Sequence, residues 1–515
     1  MKLPDIGTEE NRRADAADDL SDPTTGRFVG LTVGMALALV LLGLFWNRPI
    51  TDDVAWYLMG TRDWLNGATL FRDIVEPNPP LNFYFTVPAI QIADTFGVSD
   101  TNGQYILTAL MIFGSLFWCG TVIRNEFGLS PARQALLLVG IGAAMVIPAL
   151  DSIGQREQTL VILMMPWLLG QVAGGPPGAR ADVPRALVAA LGVCLKPHFV
   201  LYPIAVTLVW IVRTRSLRPI LSPANLVFLA VGLAYVAYVA AVHPAYLFEI
   251  VPIASQVYGA YKTDAGMLVA AVYPRVLLLL LPVLFALRGR EVWTASGPVI
   301  FGAVTLAALA SFWVQGTAFP YHLIPVSVFG MVACAIMLAK AKSFAPIHAA
   351  AATAFVGLAT LGVRQGFPEH PAVDHLAAVA DQVGEFDSFI SFSSSLFAGP
   401  PIEMATGAEW VSRYPANWLV PGVVEELGKT DCGLEPDRCT ALRAIGAKNR
   451  SDNITDMMRA EPDLLIVELD PGFFPEPRFD WLAYMAEDPA WADVFQNYKE
   501  VARTAGFLFF KRDGS

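Results

Sequence analysis

Residues 50–85 read ITDDVAWYLMGTRDWLNGATLFRDIVEPNPPLNFYF. The run just before them, 28–46, is apolar and of bilayer-crossing length, which takes roughly 20 residues. A plain connector between membrane helices needs none of what comes next. Two adjacent carboxylates, Asp52 and Asp53, are followed by a set of aromatics and then by Pro79-Pro80. Whether this stretch is a connector or a working loop decides how the rest of the chain is read.

Composition places the chain in a membrane. Of its 515 residues 55% are hydrophobic and 16% charged, and the mean hydropathy is +0.49. Soluble domains carry about 25% charged residues. The net charge of -11, concentrated at the two ends, argues against a nucleic-acid partner. Ten further apolar runs follow the first: 104–123, 134–150, 158–174, 184–196, 198–213, 224–243, 267–287, 296–315, 323–340 and 346–363. The segment 80–97 is apolar but carries Pro88 and Asp94, and it reads as an interfacial helix rather than a span. Arg12, Arg13, Arg27, Arg124, Arg133, Arg180, Arg185, Arg213, Arg215, Arg218, Arg288, Arg290, Lys340 and Lys342 then all fall on one side, as the positive-inside rule requires.

This orientation divides the chain. Residues 1–27 form a polar cytoplasmic N-terminus. Residues 28–365 form the transmembrane domain, with a first outer loop at 47–103. The tail lies outside. Within it FDSFISFSSS and PDLLIVELD read as buried parallel strands, FLFFKR as a third, and NITDMMRAE as helix, giving a small α/β domain over 370–515. Cys432 and Cys439 frame an outer polar loop and suit a disulfide. Cys119, Cys194 and Cys334 lie in apolar runs and read as buried thiols. The triplet at Asn453 matches a glycosylation acceptor too short to carry weight.

The outer loops hold the polar residues that could do chemistry. Asp52 and Asp53 repel each other, which raises at least one pKa toward that of a general base; the bland alternative is a solvated helix start. Trp56, Tyr57 and Trp64 read equally as an interfacial belt. Asp151, Gln155, Arg156 and Glu157 lie in a very short loop between two spans, where ionisable groups are costly. Lys196 interrupts an apolar stretch and needs an anion, either a protein carboxylate or a bound phosphate. His198 reads as a helix-turn residue. Tyr321 and His322 open a later span on the same face, with interfacial anchoring the plain reading for Tyr321. Arg275 is a second phosphate partner or a residue snorkelling to the interface. No GxxxxGK[ST], HExxH or Cys/His metal set occurs.

Taken together these clusters resemble the GT-C superfamily of membrane glycosyltransferases, in the branch of protein O-mannosyltransferases and bacterial aminoarabinose transferases. The residues that carry the likeness are DDVAWY after the first span, GATLFRD, and NPPLNFY leading into a helix that does not cross. An acidic residue at the outer start of a later helix is matched by Glu157 or Asp151. A lysine between two short helices is matched by Lys196. The chain departs from the pattern in having Asp-Asp for Asp-Glu, Asn78 where a lysine often stands, and Gln104 where an arginine would open the next span.

The resemblance implies a GT-C fold of about eleven transmembrane helices plus an interfacial helix, with a small extracytoplasmic α/β domain. It implies a multi-pass protein of the bacterial inner membrane with its C-terminal domain periplasmic. The activity it implies is transfer of a hexosyl or pentosyl group from a polyprenyl-phosphate donor to a hydroxyl of a lipid, glycan or protein, with inversion. The expected base is Asp52, with Asp53 second. Lys196, Arg156 and Arg275 are the expected phosphate contacts. Tyr57, Asp73, Glu76, Asn78, Asp151, Gln155, Glu157, Tyr321 and His322 are the expected substrate contacts. No cofactor is required, and a divalent metal beside the carboxylates stays open. A transporter or flippase of a lipid-linked glycan and a non-catalytic lipid-binding subunit are the alternatives. The transporter would call for internal repeats and mid-membrane charges, and neither is evident.

Overall fold

A computed structural model describes residues 23–173, 182–287, 295–343, 345–470, 472–474 and 479–514. Arg12, Arg13, Arg180, Arg288 and Arg290 of the topology argument, with most of the segment 1–27, lie outside the described residues or their side chains. The helices of the membrane domain are α1 (Pro23–Phe45), α2 (Asp52–Leu65), α3 (Leu81–Phe96), α4 (Asp100–Glu126), α5 (Pro131–Val146), α6 (Arg156–Ala173) and α7 (Asp182–Val193). They continue with α8 (Leu201–Thr214), α9 (Pro223–Val242), α10 (Val251–Val257), α11 (Ala265–Ala286), α12 (Ser296–Gln315), α13 (Ile324–Ala339) and α14 (Pro346–Gln365).

Among the described residues nine helices are long and apolar enough to cross a membrane, against eleven expected. The other two are present as helices. α7 has 12 residues and reaches only about 18 Å. α6 opens on Arg156, Glu157 and Gln158 and is buried on nearly every side. It lies at the centre of the bundle, so its polar start is enclosed by protein rather than by lipid. α3 has 16 residues with Pro88 inside.

The C-terminal region carries a five-stranded sheet in the order β2-β1-β3-β5-β4. Its strands are β1 (Ser388–Phe392), β2 (Glu409–Trp410), β3 (Leu464–Glu468), β4 (Tyr498–Arg503) and β5 (Phe507–Arg512). β1 runs parallel to β2 and β3, as FISF and LLIVE predict. FLFFKR is the exception: β5 is antiparallel to both β3 and β4. A buried apolar run gives no strand direction, and the short turn between β4 and β5 closes a hairpin, which only antiparallel strands allow. Helices α15 (Leu419–Lys429) and α16 (Pro436–Ala460) pack on the sheet, and a Cys432–Cys439 disulfide ties the loop between them.

This sheet domain is welded to the first outer loop. Val75 N donates to Arg413 O at 2.7 Å and Trp418 Nε1 to Val75 O at 3.3 Å. His370 Nε2 donates to Ile50 O at 2.8 Å. Trp56, Phe71 and Phe83 share one buried core with Trp410, Trp418 and Phe392.

At the end of β3, Glu468 accepts from Ser393 Oγ at 2.9 Å and Ser394 N at 3.0 Å, while its other oxygen has no partner. Burial lifts its carboxyl from an ordinary 4.5 to about 7. The folded state therefore holds this proton where the unfolded chain has lost it, and stability falls as pH rises from 4.5 to about 7. Glu468→Gln keeps an acceptor and removes the charge. Its melting temperature is expected to match that of the natural protein at pH 4 and exceed it at pH 8, by roughly 2–4 kcal/mol of stability. Equal melting across that range would show that Glu468 is ionised at no cost.

Candidate active site

Two polar clusters meet under the sheet domain, one from the first outer loop and one from the start of α6. The first begins at Thr51, which precedes α2. Asp52 Oδ1 accepts from Thr51 Oγ1 at 3.0 Å and from Asp53 N at 2.9 Å. The side chain of Asp52 thus turns back on the helix start, where a carboxylate suits the helix dipole. Burial, and then the neighbouring Asp53, push its pKa up to about 6. Asp53 reaches the other way: its Oδ2 accepts from Gln155 Nε2 at 2.8 Å.

Glu76 organises the loop. It accepts from Trp56 Nε1 at 2.9 Å, Tyr57 Oη at 3.0 Å and Asn78 N at 2.9 Å, and from Asn78 Nδ2. Burial raises its pKa while the Arg156 charge opposes that rise. Trp56 and Tyr57 are 2% and 1% exposed, so they are core residues and not an interfacial belt. Trp64 is half-buried and packs edge-on against Tyr84 at 4.9 Å. Glu76→Ala would strand two buried donors, on Trp56 and Tyr57, and the two half-buried ones of Asn78. A loss of about 3 kcal/mol or more is expected, read as a lowered melting temperature that Glu76→Gln partly restores.

The second cluster is cationic. Arg156 Nη1 donates to Tyr57 Oη at 3.0 Å, which joins it to Glu76, and the guanidinium stands 5.4 Å from the Tyr57 ring centre. Arg156 Nε is buried with no acceptor, and Glu157 Oε2 is buried with no donor. Lys196 donates to Glu157 Oε1 at 2.5 Å, to Gln315 Oε1 at 3.1 Å and to His322 Nε2 at 3.3 Å. With Nε2 accepting, the proton of His322 lies on Nδ1 and is donated to Thr317 Oγ1 at 3.1 Å. Tyr321 lies over the ammonium, its ring centre 5.4 Å away. Of the two anions that Lys196 could meet, the protein carboxylate is in place.

The structure therefore brings together Asp53, Tyr57, Glu76, Asn78, Gln155, Arg156, Glu157, Lys196, Tyr321 and His322. Asp73 lies apart, capping Thr69 N at 2.8 Å in an exposed turn. Asp151 accepts from Ser152 Oγ at 2.8 Å, and its electrostatic partner is Arg275. Arg275 does not snorkel. It is buried on α11, with Nε on Ser327 Oγ at 3.1 Å and Nη1 on Ala271 O at 3.3 Å. Gln315 and Tyr258 belong to the cluster's surroundings and are not signalled by sequence. Gln315 ends an apolar helix, and Tyr258 has no charged residue within three positions of it in the sequence.

Lys196 also stands at one end of an apolar cavity of about 890 Å³. The cavity runs between α8, through Pro203 and Leu208, and α9, through Phe228, Gly232 and Val236. From Val200 to Ile211 it follows α8 for about 16 Å. Among the described residues no group of three or more His, Cys, Asp or Glu comes together to hold a metal ion.

No protein-family model and no curated protein matches this chain. Among solved structures it is similar to ArnT from Cupriavidus metallidurans. The form bound to undecaprenyl phosphate is 13% identical, with a TM-score of 0.52, over 96% of this chain and 99% of that one. The apo form is 15% identical, with a TM-score of 0.53, over 93% and 97%. The likeness is one of fold: the chain shares with that protein a polytopic helical architecture with a C-terminal domain.

Proposed function

We propose that this GT-C-fold chain is a membrane glycosyltransferase that takes its sugar from a polyprenyl phosphate. The observation that carries the reading is the apolar cavity ending at Lys196, beside an Arg156 Nε with no protein acceptor. A long apolar chain with an anionic head matches that shape and charge. The cavity would take the proximal isoprene units, and Lys196 and Arg156 the phosphate. A phosphate oxygen would satisfy Arg156 Nε and take the place of Gln315 or His322 on the ammonium. A sugar hydroxyl would supply the donor that Glu157 Oε2 lacks. The bound lipid of the ArnT structure fits the same reading.

In this reading Asp53, rather than Asp52, is the base. Asp53 looks across at Gln155 and Arg156, whereas Asp52 is committed to the helix start. The acceptor hydroxyl gives its proton to Asp53, and its oxygen attacks the anomeric carbon. The bond from that carbon to the phosphate oxygen breaks, and polyprenyl phosphate leaves with its new charge held by Arg156 and Lys196. Attack opposite the leaving group inverts the carbon. The site then lies on the outer face of the bacterial inner membrane, with the α/β domain periplasmic. The acceptor in this reading is a hydroxyl of a lipid, glycan or protein.

Gly232 provides the test. Gly232 lines the cavity and a Cβ there meets nothing within 4 Å, so Gly232→Trp is expected to fill cavity space away from the polar cluster. The variant is expected to fold, because the change also removes a helix glycine. It should bind undecaprenyl phosphate at least about tenfold more weakly than the natural chain, a difference of about 1.4 kcal/mol. Equal affinity, measured by titrating the purified full chain in nanodiscs, would remove the cavity as the lipid site.

A further inference from the structure

A second cleft lies in the C-terminal domain, outside the site described above. It has a volume of about 350 Å³ and is bounded by α15, α16 and the segment 479–487. Val423, Val424 and Leu427 of α15 give it an apolar side, and α16 adds Arg443 and Arg450. The Cys432–Cys439 disulfide ties the loop between the two helices, and Arg443 Nη2 meets Cys432 Sγ at 3.8 Å. The walls are therefore held in the free protein, which lowers the cost of ordering them round a ligand. Gly446 lines the cleft from the interior of the 25-residue α16, where a glycine costs about 1 kcal/mol against alanine. Packing does not demand it. A Cβ there would meet Val423 Cγ1 at 3.5 Å, Arg450 Nη1 at 3.6 Å and Tyr484 Oη at 3.7 Å, all ordinary contacts. What a longer side chain would take is the space of the cleft itself.

The groups round that space are fixed by their own contacts. Tyr484 Oη donates to Gly446 O at 2.9 Å. Arg450 lies 4.7 Å from the Tyr484 ring centre and pairs with Glu487 at 3.0 Å. Phe479 stacks on Phe474 with centres 3.9 Å apart and stays half-buried. Asp480 accepts from Ala483 N at 2.9 Å. Two guanidiniums and two carboxylates, those of Arg443, Arg450, Asp480 and Glu487, leave the lining with no net charge, so neither an anion nor a cation is selected. Forked donors and acceptors round an apolar, ring-lined wall suit a neutral ring with C–H faces and several hydroxyls. The volume is at the small end for such sites. α15 also carries Gly422, where a Cβ would collide with Val257 O of the membrane domain. From Gly422 to Leu427 is about 8 Å along the helix, so the cleft stands at a fixed place relative to that domain. We propose that it binds a neutral sugar unit of a glycan acceptor, away from the reacting hydroxyl. This rests on the glycosyltransferase reading and narrows its acceptor to a glycan-bearing molecule. Holding one unit here raises the effective concentration of the rest of the glycan at the membrane domain. The cleft takes no proton and forms no bond in the reaction.

The test titrates the purified full chain in nanodiscs with four neutral trisaccharides, of glucose, mannose, galactose and N-acetylglucosamine, and separately with undecaprenyl phosphate. At least one trisaccharide is expected to bind the natural chain with a Kd of about 1 mM or tighter. Gly446→Leu replaces a helix glycine with a better helix former. It should keep the melting temperature and weaken that trisaccharide at least about tenfold. Arg443→Ala, at an exposed position, should weaken it about fivefold. In a transfer reaction with an envelope extract as acceptor, Gly446→Leu should raise the extract concentration needed for half-maximal transfer about tenfold. Unchanged trisaccharide affinity in both variants overturns the proposal, as does failure of all four trisaccharides to bind the natural chain. If Gly446→Leu does not fold, Arg443→Ala decides alone. Weakened trisaccharide binding with no change in the extract requirement overturns the link to the acceptor. A natural chain that binds a trisaccharide but not undecaprenyl phosphate would instead remove the lipid-donor reading, and the acceptor role with it, and leave the cleft as a sugar site.

Discussion

Asp53→Asn is expected to lower turnover by about 10²–10⁴-fold, the usual contribution of a positioned general base. The amide keeps an oxygen for Gln155 Nε2, now 2.8 Å from the carboxylate, so fold and donor binding should survive. What it loses is the capacity to take a proton. Asp52→Asn is the matched control. It removes a carboxylate whose oxygen is spent on Thr51 and the Asp53 amide, and it also removes the charge that repels Asp53. Its effect on turnover should be far smaller. If Asp52→Asn fell as far as Asp53→Asn, the base would have to be shared or reassigned. If neither fell, no carboxylate of this loop would be the base.

Lys196→Met carries the second large effect. A charge-assisted hydrogen bond to phosphate contributes about 1.5–3 kcal/mol, so affinity for undecaprenyl phosphate should fall roughly 10- to 100-fold. The substitution also strands Glu157, which is 1% exposed. Leaving one member of a buried ion pair costs about 3–5 kcal/mol. A lone Lys196→Met that fails to fold would therefore be ambiguous. The double variant Lys196→Met/Glu157→Gln removes both charges together. It should recover most of the melting temperature while remaining unable to hold the phosphate. Full lipid affinity in the folded double variant would take Lys196 out of the site.

The class of fold was legible because a bilayer constrains sequence strongly. Length and apolarity located the helices, including the 16-residue α3 with Pro88 inside it. Two of the eleven apolar runs form helices that fall short of a crossing length or apolarity for a physical reason. The apolar run of α6 is one whose polar start is wrapped by protein, and α7 is simply short; hydropathy alone does not separate protein from lipid as surroundings. In the sheet, the continuous apolar run of FLFFKR read as a buried strand, but direction depended on the hairpin with β4.

At the site, charged residues in short outer loops were conspicuous, and Asp53, Arg156, Glu157 and Lys196 do converge. Arg275 was equally conspicuous yet lies apart, because a buried arginine can be satisfied by Ser327 and a backbone carbonyl as well as by a ligand. Which of two adjacent aspartates faces the cluster is set by the phase of a helix that begins between Thr51 and Asp52, and one residue of phase is beyond a pattern argument.

The most direct test supplies purified full-length chain in proteoliposomes with a polyprenyl-phosphate-linked radiolabelled sugar and an envelope extract as acceptor. The account predicts free polyprenyl phosphate in step with label on the acceptor, in the natural chain and not in Asp53→Asn. Label that crosses the bilayer still attached to its lipid, at equal rates in both proteins, would contradict it.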